Sequence, residues 1–481
     1  MTPEPFRIPG ELFDAMAAGG GGAEGLRLLA RAEHSRRLAC VHAVTSAARD
    51  IGGSVAREAQ EAWEVLAAAR RRAPEETAAV LTHPSAGPML IGLLIRLDHV
   101  RDPAGTTGLP GSRRPSTVRP GTQVPWPQPV FGPTDVPMYW FTALAAAAAI
   151  RAGLPGRVRW TATGPWTVLP SLGRAHFPGA VRGGRVEARV TGPGRAVIAM
   201  PGDPRAPGPV TVPADPHRAH GRWRGAQVLT VLGTGAPLLL DVLDPPCFPG
   251  ATGGPAGLGA AEVRRWEDTA RAAVRLLRTD HPGMYAELAA GPRVLVPLTG
   301  AGRGSVSGSS AESFGCVALS RPRTAPGLGV TLTHEMQHNK FAALLHLFDL
   351  FEAGGAELYY ASWRPDPRPL AGLFHGAYAH LGVAQFWDRR RETDPDPARR
   401  AAAHVQFARW RTASHEATRQ LLGSARLTPL GQRFATRMLD TLDPLCRLPV
   451  PAAARREATA SARAHRSEWS ERNGRAAALP A

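Results

Sequence analysis

The chain of 481 residues holds 57 Lys+Arg against 40 Asp+Glu, a formal net charge of +17, and is 43% hydrophobic. The apolar fraction excludes general disorder, and the length allows two or three domains of roughly 100–200 residues each. Lys340 is the one lysine, so 56 cations are arginine; with 52 Gly and 46 Pro this reads as compositional bias and excludes net charge as a sign of nucleic-acid binding.

The N-terminus, MTPEPFRIPGELFDAM, lacks the apolar stretch of a secretory signal. The apolar runs at 88–97 and 139–150 are shorter than the ~20 residues of a membrane helix. Cys40, Cys247, Cys316 and Cys446 are widely spaced, with no CxxC, which argues against a disulfide framework or a cysteine zinc site. A cytoplasmic protein with no membrane or nucleic-acid partner is therefore expected.

Residues 1–100 read as a helical N-terminal region, with Leu, Ala and Val at three- and four-residue spacing. A Pro/Gly-rich connection, 101–138, sustains neither period. In the mixed, β-rich section 139–290, an Ala-rich helix at 139–152 precedes short runs such as VRWTAT, WTVLP, VEARV, RAVIAM, AQVLTVL and PLLLDVL, each bounded by Gly or Pro. Helical text returns at 260–290. A metal-binding catalytic domain, 291–445, starts with strands PRVLVPLTG and SFGCVALS, continues with a helix over 326–352, and adds helices at 368–387, 398–422 and 430–442. The polar tail, 446–481, reads as frayed or loosely helical. The predicted fold class is α+β: a helical N-terminal region, a central β-rich section and a C-terminal, mainly helical metal domain with a zincin-like HExxH helix.

The 326–352 helix carries His334-Glu335-Met336-Gln337-His338. Spacing i, i+4 puts both imidazoles on one helix face, where they can close on one divalent metal with Glu335 beside them. An open site needs a third protein ligand. Glu357 follows His338 after 18 residues, as in zinc aminopeptidases, but the AGG interruption and the prolines of WRPDPRP break the second helix that this pattern requires. His375 and His380, in GLFHGAYAHLGVAQFW, are better placed; five positions apart they diverge by roughly 140° on a helix, so one of them is expected at the metal, with His375 favoured. Lys340 lies on a different helix face from His338, which leaves it an ion pair or an anion contact at the site edge.

The stretches GSVSGSSAESFGCVALS, THEMQHNKFAALLHLFDL and YYASWRPDPRPLAGLFHGAYAHLGVAQFW resemble the HExxH-motif family associated with radical-SAM peptide maturation, whose members are 2-oxoglutarate-dependent peptide β-hydroxylases. The likeness covers 304–387 and, more loosely, the N-terminal IPGELFDAMAAGGGG text. It implies an iron(II) site, 2-oxoglutarate and O₂ as co-substrates, a ribosomal precursor peptide hydroxylated at a β-carbon, and a radical-SAM maturase as candidate partner. On that reading Arg364 and Arg368 offer a fork for the distal carboxylate of 2-oxoglutarate, Glu335 orients a ligand or substrate, and Tyr359, Tyr360 and Tyr378 are pocket candidates, although aromatics at such spacing also pack cores. Asp366 suits a Pro-Asp-Pro turn. The rival readings are a zinc metallopeptidase with Glu335 as general base and a peptide-binding accessory module whose metal is structural.

Overall fold

The computed structural model describes residues 6–102, 136–203, 205, 207–233, 235–241, 258–291, 293–298 and 305–474; most of the Pro/Gly-rich connection, and Cys247, lie outside them. Among the described residues six helices come first: α1 (Gly10–Ala17), α2 (Gly22–Ile51), α3 (Gly53–Arg72), α4 (Pro74–Leu81), α5 (Ala86–Arg101) and α6 (Tyr139–Ala152). The predicted periodicity is borne out here, and α6 is nearly all buried because its Ala and Leu residues face neighbours on every side. No single helix among the described residues is long and apolar enough to cross a membrane. The bent pair α4–α5 passes that test jointly, yet Leu81, Met89, Leu90, Leu93 and Leu97 belong to the core.

Nine strands follow: β1 (Gly156–Thr161), β2 (Trp166–Leu169), β3 (Gly173–His176), β4 (Arg185–Gly192), β5 (Arg195–Ala199), β6 (Val210–Val212), β7 (Trp223–Arg224), β8 (Gln227–Val231) and β9 (Pro237–Leu240). An antiparallel sheet, β1-β4-β5-β6, and a smaller one, β2-β3-β7, share a core with α2–α6. The short strands β3, β6 and β7 carry too few residues to show a period in the sequence.

The helical text at 260–290 is two helices, α7 (Ala260–Asp280) and α8 (Pro282–Ala290), because Pro282 cannot donate to the α7 ladder and starts a new helix instead. Next come β10 (Val294–Pro297), β11 (Ser307–Gly308), a single 3₁₀ turn at Ala311–Ser313 and β12 (Cys316–Leu319). With β8 and β9 they form a five-stranded mixed sheet of order β11-β12-β10-β9-β8, drawing strands from both sides of residue 291. β10 is parallel to β9 and β12, and both β10 and β12 are wholly buried, as central parallel strands covered on two faces must be. β11 is antiparallel to β12 and forms the sheet edge.

The helix that carries His334-Glu335-Met336-Gln337-His338, α9, runs Ala325–Leu345. Thr324 caps it, its Oγ accepting from Gly327 N at 3.2 Å. Its N-terminal half packs Leu328, Leu332 and Met336 into the core of the mixed sheet and α7, whereas Phe341, Ala343 and Leu344 enter a helical core with α1 and α10. The helix stops at Leu345, before the predicted 352, and beyond it the carbonyls of Asp349 and Leu350 accept from Thr428. A small hairpin, β13 (Leu358–Tyr359) with β14 (Arg368–Pro369), leads to α10 (Leu370–Thr393), α11 (Pro397–Gly423) and α12 (Pro429–Arg447). The tail is more ordered than expected: α13 (Ala452–Asn473) is a full helix that buries Ala454, Ala458 and Trp469 against the body.

Candidate metal centre

α9 and α10 pack side by side and bring four histidines into one chain of ring contacts. His334 and His338 meet through their Nε2 atoms at 3.1 Å. His380 lies 5.0 Å from His334 between ring centroids, and His375 lies 5.7 Å from His338. Burial first, then the charges of His334 and Arg368, takes His338 down to about 3; burial, then Arg368, takes His375 down to about 4. Burial also lowers His334 and, with His334 as neighbour, drives His380 well below the usual imidazole range. All four rings are therefore neutral at pH 7, the form that ligates metals.

Two nitrogens 3.1 Å apart have the spacing of cis ligands on one ion: metal–nitrogen bonds of about 2.0–2.1 Å would subtend about 95–100°. The donor set thus fits a divalent transition metal held first by His334 and His338. A third ligand is not closed on this pair, and among the described residues no group of three or more His, Cys, Asp or Glu side chains is assembled to hold a metal ion.

His380 is the more constrained of the two late histidines. Its Nδ1 is 2.8 Å from the Gly376 carbonyl, so that nitrogen carries the proton and Nε2 keeps its lone pair. Trp363 stacks on its ring at 4.4 Å and Trp410 lies tilted against it at 4.5 Å, which together fix the plane. A Cβ on Gly376 would stand 2.4 Å from Trp363, so only glycine admits that indole. His375 has a looser setting, with its edge contact to Phe341 at 4.7 Å.

Glu335 is buried and turned to the sheet edge. Ser307 Oγ donates to its Oε1 at 2.8 Å and Ser309 Oγ to its Oε2 at 2.6 Å, while His334 Nε2 is 4.0 Å from Oε1. The serine-rich text before SFGCVALS therefore supplies the carboxylate's partners, a role that its loop composition did not disclose.

The remaining candidates divide. Arg364 and Arg368 both bind Asp366, at 2.8 and 3.3 Å, but Arg364 is half-exposed whereas Arg368 is mostly buried and its Nε has no partner. Glu357 is exposed and paired with Arg426 at 3.0 Å. Tyr359 is half-buried in the hairpin, and Tyr360 faces His465 at 3.0 Å. Tyr378 is in the core, donating to the Met16 carbonyl at 2.6 Å.

Lys340 points away from the histidines and is completely buried. Its ammonium donates to both oxygens of Glu287 at 2.9 and 3.0 Å and to the carbonyls of Gly19 and Gly20 at 3.0 and 2.8 Å. Gly19 takes a left-handed φ of 90°, which turns its carbonyl into this cage and also towards Gln337 Nε2 at 2.7 Å. Among the described residues, Cys40, Cys316 and Cys446 are in no disulfide. No protein-family model matches this chain, and no curated protein matches it.

Proposed function

We propose that this protein is a non-haem iron(II), 2-oxoglutarate-dependent oxygenase that hydroxylates a β-carbon in a ribosomally made peptide. The observation that carries the metal reading is the pair of neutral imidazoles, His334 and His338, whose Nε2 atoms meet at 3.1 Å on one face of α9. The choice of chemistry rests on the resemblance of residues 304–387 and on what surrounds the pair. His380, oriented by Gly376, Trp363 and Trp410, is the preferred third ligand over His375. Iron with 2-oxoglutarate and O₂ would supply the oxidising chemistry, and Arg368, with its partnerless buried Nε, would receive the distal carboxylate. Arg364 would hold Asp366 in place beside it.

The setting of Glu335 suits a positioning role in this reading. Both oxygens accept from serines, which suits a carboxylate that holds the β11 segment against α9. Each oxygen keeps a further lone pair, so the zinc-hydrolase alternative is separated by experiment. Among the described residues β11 pairs on one side only, so its outer edge offers backbone groups to an extended peptide next to the histidines.

The test is anaerobic addition of Fe(II) and then 2-oxoglutarate to the purified protein. A weak visible absorption band, absent in His334→Ala, and succinate released with a candidate peptide are expected. Tight stoichiometric zinc together with peptide cleavage that Glu335→Gln abolishes would replace the oxygenase by a metallopeptidase. Zinc bound by all four histidines without turnover would leave a structural metal in a peptide-binding accessory protein.

A further inference from the structure

Arginine is spread through the chain by composition, but on one surface the fold gathers it. In the antiparallel sheet β1-β4-β5-β6 the inward positions, such as Val158, Trp160, Val186, Ala188 and Ile198, enter the core. Strict alternation then puts Arg157, Arg159, Arg185, Arg189 and Arg195 on the outward face, all exposed, with Glu187 as the acid among them. Glu187 is committed to Arg157 at 3.2 Å and Arg159 at 2.8 Å. No ion pair involves Arg185, Arg189 or Arg195 among the described residues. The register sets Arg157 directly opposite Arg189, a like-charge pairing that costs stability in the free protein.

We infer that this face is a docking surface for an extended acidic peptide segment with carboxylates at alternate positions. Arg157 and Arg159 on β1 are one alternate step apart, about 6.6–6.8 Å, Arg185 and Arg189 on β4 are two such steps apart with Glu187 between them, and neighbouring strands lie about 4.8 Å apart; alternate side chains of an extended peptide have the same repeat. A carboxylate row therefore meets a guanidinium row without stretching, and it relieves the Arg157–Arg189 repulsion. Nucleic acid shares the charge but fits less well. The other outward positions include Thr161, Val197 and Thr211, and no aromatic stands among them to stack a base. The inference is independent of the iron reading.

The experiment is fluorescence anisotropy of the full chain with a labelled (Glu-Thr)₆ peptide, a (Lys-Thr)₆ peptide, and single-stranded and duplex DNA 12-mers. Saturable binding of the acidic peptide, absent for the basic one and weakened by salt, is expected. Arg185→Glu/Arg189→Glu/Arg195→Glu should weaken it about tenfold or more. The same charge change on α13, Arg455→Glu/Arg456→Glu/Arg463→Glu, should not. Arg189→Gln gives a second readout that does not depend on charge reversal: weaker peptide binding with an unchanged or higher Tm. No saturable binding, equal losses in the two triple variants, or tighter binding of either DNA would overturn the proposal.

Discussion

Lys340→Met would remove the ammonium from a cage in which its side chain is 0% exposed and Glu287 is 6% exposed. Methionine matches the length of the stem, so the main loss is electrostatic: Glu287 would stay buried without its partner, and the Gly19 and Gly20 carbonyls would lose their donor. Removing one member of a buried, hydrogen-bonded ion pair costs about 3–5 kcal/mol, which at ~1 °C per kcal/mol for a chain of this length lowers Tm by roughly 3–5 °C. Lys340→Met/Glu287→Gln removes the stranded charge, while the new amide oxygen can still accept from Gly22 N, which now bonds Oε1 at 3.1 Å. That double variant should regain at least half of the loss, a coupling of about 2 kcal/mol or more between neighbouring sites. Lys340→Arg keeps the charge but forces a larger planar group into filled space, and about 1–3 kcal/mol should go to overpacking. Thermal unfolding followed by circular dichroism reads all three. A double variant as unstable as Lys340→Met would show that the cage does not act through the pair.

Two further outcomes follow from the site's surroundings. Gly376→Ala should push Trp363 off His380, cost about 1–3 kcal/mol and weaken metal uptake about tenfold, measured by unfolding and by metal analysis after dialysis; unchanged uptake would dismiss the indole as an orienting group. His281 is buried, stacked on Phe386 at 4.4 Å, and its pKa is lowered to about 4 by burial. The unfolded chain, titrating near 6.5, binds the proton that the folded chain refuses, so stability is full above that value and falls as pH drops towards 4, by at most ~1.4 kcal/mol per pH unit from this group. Denaturation at stepped pH should give a shallower acid loss in His281→Phe; an identical slope would assign that loss to other groups.

The sequence carried the helices and the histidine pair because both are local signals: a period of 3.6, and two residues four apart on one face. Pro282 acted against the predicted length of one helical stretch from within the chain. The Trp363–His380–Trp410 stack and the serines on Glu335 were not legible, since each joins segments that only tertiary packing brings together. Lys340 was located by its rarity and read as a residue at the site edge, whereas its partners, Gly19, Gly20 and Glu287, come from two segments distant in sequence. The short runs VRWTAT and VEARV, bounded by Gly or Pro, foretold strands, but the shared arginine face needed the register of β1 on β4.

The Lys340 cage also sets an order of events during synthesis. Gly19 and Lys340 are 321 residues apart, so at about 5–20 residues per second the glycine turn is made some 15–65 s before the ammonium that closes on it. α1 and its turn must wait, with Met16 and Phe13 still lacking the helices that bury them in the finished molecule. A nascent chain halted before α12 therefore exposes the same N-terminal apolar patch, and it is Tyr378 of α10 and Phe434 of α12 that retire it.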